Sequence, residues 1–190
     1  MASHGHCVWD AALVLSQFFQ LSNRFKSFDN LKVVELGVGV GLVGMTLAAI
    51  GARVVLTDQP YCLPLLQTNV DLNASLWRHA PHVECLQWGQ APKVNLKPVD
   101  LIVASDIIYN SDSFPLLLDT LQHLMSPTTM FYFCFETRNA CQEQAFLNLL
   151  KQNGFILDRI SDEECHQVAE TLILECKPEE LAIYAASTAI

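Results

Sequence analysis

The chain has 190 residues, 51% of them apolar, enough for one good core and short for two. Its formal charge of −9 argues against a nucleic-acid partner, because phosphate binding needs a basic face to displace counterions. No apolar run is long enough to span a membrane, no basic leader precedes an apolar segment, and seven cysteines without a C-x-x-C pair favour a reducing compartment.

Residues 9–21 are apolar and free of Gly and Pro, which predicts a largely buried helix with Asp10 favourable in its first turn. Residues 31–36 read as a buried strand, followed by a glycine loop and a helix over 42–50 closed by Gly51. A second strand over 53–57, a helix over 61–73 and a short third strand over 83–86 come next. Residues 99–105 form a near-continuous apolar fourth strand, with a helix over 114–125 behind it. A fifth strand over 130–135, a helix over 142–152 capped by Gly154 and a sixth strand over 155–160 complete the alternation. In the tail, 172–175 and 181–186 both read as strands, separated by a Lys177-Pro178 turn. The expected fold is α/β, a mostly parallel sheet with helices on both faces, in one domain over 1–190. Ligands of such sheets bind beyond the carboxyl ends of the strands, near the switch point.

The stretch "VVELGVGVGLVG" holds four of the eight glycines within eight positions. Read from Gly39 it spells G-x-G-x-x-G, the dinucleotide fingerprint, but that motif needs its first Gly at the turn directly after the strand. That Gly is Gly37, and from it the register fails at Leu42. Read from Glu35 the stretch is E-x-G-x-G. An acid at that place has something to meet in S-adenosylmethionine, which carries an amino group and a sulfonium. Asp58 ends the second strand 21 residues after Gly37, where a carboxylate can accept from both ribose hydroxyls. The plainer alternative is a turn-forming Asp before Gln59-Pro60. Trp88, in "LQWG" past the third strand, is placed to cover an adenine face, or else packs the rim of the core. The fourth strand ends in Ser105-Asp106, with Tyr109 three residues on. In that position D-x-x-Y suits an attacking amine: Asp106 accepts its hydrogen bonds and the Tyr109 ring faces its cationic stem. As a bare pattern it also reads as a helix cap with a core tyrosine.

Together these residues resemble the seven-strand protein-lysine methyltransferases of methyltransferase family 16, methyltransferase-like 21 type. The matching stretches are "CVWDAALVLS", "VVELGVGVGLVGM", "GARVVLTD", "LPLLQTNVDLN", "LQWG" and "DLIVASDIIY", in the family's order over roughly residues 5–125. The resemblance implies a Rossmann-like class I methyltransferase fold and S-adenosyl-L-methionine as cofactor. It implies cofactor contacts from Trp9, the loop Gly37, Val38 and Gly39, Asp58, Trp88 and Ser105, beside the Glu35 contact read from the residues themselves. It implies substrate handling by Asp106 and Tyr109, and it places "CFETR", Phe135 with Glu136 through Arg138, beside the substrate entrance. The implied partner is a protein that presents a lysine: a chaperone, an AAA ATPase or an elongation factor. No nucleic acid, membrane or metal is expected, and the expected form is a monomer, cytoplasmic with the nucleus allowed as well. Val40 stands where the family usually has a small polar residue, and eight residues precede Trp9 where it usually has some tens.

Three letter clusters carry little. The run His4 to Cys7 lacks a second ligand pair, His79-x-x-His82 flanks Pro81 in a loop, and Cys165-His166 are neighbours that rarely present side chains to each other. The reading is therefore an enzyme that moves a methyl group from S-adenosylmethionine to a protein lysine. A small-molecule methyltransferase, a catalytically silent docking module and a nicotinamide oxidoreductase remain as rivals, the last disfavoured by the glycine register.

Overall fold

The computed structural model describes residues 7–91 and 95–188. His4 and His6 of the N-terminal cluster lie outside the described residues. The elements run α1 (Asp10–Leu21), β1 (Lys32–Leu36), α2 (Leu42–Ala49), β2 (Arg53–Asp58), α3 (Leu63–Leu72), β3 (His82–Cys85), β4 (Leu101–Ser105), α4 (Phe114–Leu124), β5 (Met130–Glu136), α5 (Ala140–Gln152), β6 (Phe155–Arg159), α6 (Asp162–Ala169) and β7 (Leu181–Thr188). They build one seven-stranded sheet in the order β3-β2-β1-β4-β5-β7-β6. All neighbours pair in parallel except β7, which runs antiparallel between β5 and β6.

Strand alternation splits the core into two layers. Val33, Leu101, Val103, Tyr132, Cys134 and Ile183 face one side, under α1, α2, α3 and α6. Val34, Leu36, Ile102, Ala104, Phe131, Phe133 and Phe135 face the other, under α4 and α5. On that second face Phe131, Phe133 and Phe135 stack along β5, and Tyr184 of β7 stacks beside the last two. The switch point falls between β1 and β4, whose following loops leave in opposite directions. The glycine loop and the Ser105–Tyr109 segment therefore face one opening.

The tail differs from expectation. Residues 172–175 form no strand, because β7 already pairs with β5 on one edge and β6 on the other. In their place Ser161 caps α6 by accepting from the Glu164 N–H, with acidic residues filling the first turn. The irregular segment after α6 is held by α1 instead. The Asp10 carboxylate, 9% exposed, accepts the backbone N–H groups of Glu175 at 2.6 Å and Cys176 at 2.7 Å.

Asp10→Ala strips these two donors of their charged acceptor, and each such bond contributes about 1.5–3 kcal/mol. Chemical denaturation is expected to show a loss near the lower end of that range or above, with Asp10→Asn intermediate. A midpoint equal to wild type would mean that water replaces the carboxylate without cost.

Candidate active site

The alternation that puts Val33 beneath α2 puts Glu35 there too. Its side chain is 1% exposed, and one oxygen accepts the Gly44 N–H at 2.7 Å. Burial lifts the carboxyl from its ordinary 4.5 to about 8, against the pull of the Gly44 bond and with a further push from Asp58. Glu35 thus supports the loop from below, under the helix.

Gly37, Gly39 and Gly41 have φ of +65°, +56° and +98°, a left-handed path in which a side chain would be strained. Val38 turns inward. Its side chain is buried in the core, its N–H donates to the Thr57 carbonyl at 3.2 Å and its carbonyl accepts from Gly41 at 3.0 Å. The donor and side chain of Val38 are thus used inside the protein, and it contributes the loop's shape. The Gly39 N–H reaches across to Asp58 Oδ2 at 2.8 Å, while Oδ1 accepts from the Gln59 N–H at 2.7 Å. Asn69 of α3 secures the loop from behind through the Val40 carbonyl at 2.9 Å.

With one backbone donor on each oxygen, Asp58 keeps lone pairs for two hydroxyls. The turn alternative accounts for the Gln59 bond but not for the bond to Gly39. Trp88 lies against Gly37, where an added Cβ would come within 3.3 Å of the indole and 2.9 Å of Ile107. The ring thus packs the rim of the second core layer and borders the loop at once. A bare glycine path, a ribose-type acceptor and a bordering indole fit the nucleoside half of S-adenosylmethionine.

Ser105 is the last residue of β4, and Asp106 turns sharply after it with φ +55°. Its N–H donates to the Cys134 carbonyl at 2.8 Å, so the turn is braced by β5. The carboxylate caps no helix: Asn110 caps the following short helix. Instead Oδ1 accepts from the Glu136 N–H at 3.3 Å and Oδ2 from Arg138 Nη2 at 2.9 Å. The same guanidinium nitrogen pairs with the Glu136 carboxylate, and the group lies over the Trp9 ring, 5.2 Å from its centroid. Burial pushes the Asp106 carboxyl up, while Arg138 holds it down.

Tyr109 is 59% exposed, so the core-tyrosine alternative fails. Its phenol is pushed up by partial burial and by the charges of Asp58 and Cys62.

The resemblance placed Arg138, within "CFETR", beside the substrate entrance; its pairing with Asp106 is what motif reading did not supply. The available signal was its place one strand over from a carboxylate known only from D-x-x-Y. His82 opens β3 and has an acidic partner, Glu84 at 3.4 Å on the exposed edge strand. A cavity of about 580 Å³ lies elsewhere, between the end of α1 and the start of α6, lined by Arg24, Ser161, Glu163 and Glu164 among others.

The raised Glu35 carboxyl makes stability depend on pH. The folded protein keeps this proton until pH about 8, whereas an unfolded chain releases it near 4.5. This contribution is complete below the lower value, declines as pH rises through the window and is flat above it. Glu35→Gln removes the titration. Melting curves from pH 5 to 9 are expected to fall more steeply for wild type than for the variant, with the variant more stable at the alkaline end. Parallel curves would refute a buried proton on Glu35.

Comparison with known proteins bears on this geometry. A family model described as lysine methyltransferase matches residues 1–153. EEF1A lysine methyltransferase 3 of Xenopus tropicalis is 35% identical over 160 residues, covering 83% of this chain and 70% of its own length. Protein N-lysine methyltransferase METTL21A of Danio rerio is 37% identical over 163 residues, covering 84% and 70%. The chain spans about two thirds of the length of the curated relatives it matches. Among solved structures, a TehB-like SAM-dependent methyltransferase of Corynebacterium glutamicum superposes with a TM-score of 0.65 over 99% of this chain and 92% of its own, at 14% identity, a likeness of fold. With a class I methyltransferase sheet and a matching family model over most of its length, the chain belongs to the S-adenosylmethionine-dependent lysine methyltransferase family.

Proposed function

We propose that this chain methylates a lysine of a non-histone protein of the elongation-factor, chaperone or AAA ATPase type, acting in the cytoplasm or nucleus as a monomer. The names of its relatives support the first of these classes, since one of them acts on EEF1A. Its free cysteines suit a reducing compartment. The observation that carries the reading is the placing of two acceptors at one switch point. Asp58 is tied to the glycine loop, and Asp106 is turned off β4 by its positive φ.

S-adenosylmethionine supplies a methyl group already activated by its sulfonium. The Gly37–Gly39 backbone, Asp58 and Trp88 would hold it, with Ser105 at the strand end. What the protein must add is position, and holding reactants in line supplies at best about 7–11 kcal/mol. The amine must arrive neutral. Trp9 and Tyr109, 37% and 59% exposed, offer aromatic surface at the mouth, which disfavours a charged ammonium once it is covered. Asp106 then accepts a hydrogen bond from the amine and aims its lone pair. No nucleophile of the protein is needed.

Asp58→Ala is expected to weaken S-adenosylmethionine binding measured by calorimetry, through loss of the hydroxyl acceptors and of the Gly39 tether. Each charge-assisted bond is worth about 1.5–3 kcal/mol, less where water substitutes. An unchanged dissociation constant would remove Asp58 from the site.

Asp106→Asn tests the chemistry. Arg138 draws the amide oxygen toward itself, leaving the NH₂ where an acceptor is wanted. Cofactor affinity should stay near wild type, while single-turnover transfer from labelled S-adenosylmethionine to proteins of a cell lysate should fall on the order of 10²-fold. Wild-type turnover in this variant would sink the lysine-positioning role and favour a docking module.

A further inference from the structure

We propose that Arg138 is a positioning residue for methyl transfer, the fixed counter-ion that keeps the Asp106 carboxylate turned toward the opening as an acceptor. The inference rests on the amine-accepting role of Asp106. Its ground is a convergence of three distant segments. Arg138 donates to Asp106 Oδ2 at 2.9 Å, pairs through the same nitrogen with Glu136, and lies with its guanidinium carbon 5.2 Å from the centroid of Trp9. A carboxylate on one side, a second on the other and an aromatic face beneath leave the guanidinium little freedom to swing.

Trp9 is itself held. Asp10, the next residue, is clamped by the backbone of Glu175 and Cys176. The Asp106 backbone is equally constrained, through its N–H to the Cys134 carbonyl and its Oδ1 to the Glu136 N–H.

The need for such a counter-ion follows from burial. The Asp106 side chain is 9% exposed, and a carboxylate removed from water tends to take up a proton. As a carboxylic acid it would present a hydroxyl to the incoming amine and could donate to its lone pair, the wrong polarity for a nucleophile. Arg138 and, more weakly, the Glu136 N–H favour its ionised form, and the Glu136 carboxylate opposes it. Burial pushes the nearby Cys134 thiol well above its ordinary value, so that neighbour stays neutral. Arg138 is thus the group that tips Asp106 toward an acceptor. Lysine in its place would keep the charge but could not lie flat on the indole, so its nitrogen would be held less firmly between the two carboxylates.

The test reads Asp106 directly. In the full chain labelled with ¹³C-carboxyl aspartate, the Asp106 resonance is identified by its loss in Asp106→Asn and followed through a pH titration. Arg138→Gln is expected to raise its midpoint by about 1–3 pH units, and Arg138→Lys by less. With labelled S-adenosylmethionine and cell lysate, Arg138→Gln should slow transfer most at the acid end. It should add nothing in an Asp106→Asn background. Cofactor affinity by calorimetry should not move.

A midpoint equal to wild type in a variant that melts normally would overturn the inference. So would equal slowing at every pH without rescue by lysine. If Arg138→Gln does not fold, the wild-type protein decides. The Arg138 guanidinium signal must track the Asp106 titration with the same midpoint, and independence of the two overturns the coupling. Failure of the lysine reading is distinct, since it shows as no labelling by wild type.

Discussion

A single buried carboxyl sets the shape of the cofactor loop. Glu35 in β1 and Gly44 in α2 stand nine positions apart and are joined at 2.7 Å, so both ends of the glycine path are fixed to each other. The helix can come this close because residue 44 has no side chain. A Cβ there would run into Leu56 of β2 and lie 2.5 Å from the Glu35 oxygen. Burying an acid without a cation is costly, and the cost is reduced by protonation, which is why its carboxyl rises to about 8. With the loop closed from below, Gly39 is presented to the end of β2, and Asp58 can meet it.

The other half of the opening is organised by charge. Trp9, Asp106 and the Glu136–Arg138 turn lie more than a hundred residues apart from first to last, and they meet because α1 packs against β5 and because β5 lies beside β4. Arg138 is 41% exposed, so its pairs contribute little to stability in water. Their effect is geometric. A partly exposed guanidinium restrains a nearly buried carboxylate, and the indole restrains the guanidinium.

Much of this was legible from letters, and the limits are physical. Strand and helix positions followed from apolar alternation and from Gly51 and Gly154, since doubly buried parallel strands leave little ambiguity. The tail misled because Leu172 and Leu174 have strand-like apolarity, while the competing signal, Ser161 three residues before Glu164, is a helix cap. Glu35 was legible as an acid at a strand end, but its face depends on the parity of the strand, and parity sends it under α2 with Val33. Arg138 was placed beside the substrate entrance by resemblance, but its pairing lay beyond motif reading. Its partner Asp106 is 32 positions away, and only the adjacency of β4 and β5 brings the two together.

The same adjacency explains how one end of the sheet carries so much negative charge. Four neighbouring strands, in the order β2-β1-β4-β5, each end in or near a carboxyl: Asp58, Glu35, Asp106 and Glu136. Left as four bare carboxylates they would repel one another and destabilise the switch point. Each is handled differently. Glu35 is buried beneath a helix and favours its neutral form, Asp58 is held by two backbone N–H groups, and Asp106 and Glu136 share Arg138. Under the proposed function, the acceptor capacity left over is that of Asp58 and Asp106. A sulfonium compound approaches as a cation, and so does a lysine side chain until it gives up its proton to water at the mouth. A sheet end with surplus negative charge draws both, and the fixed partners of its carboxylates keep that charge from collapsing onto the protein's own groups.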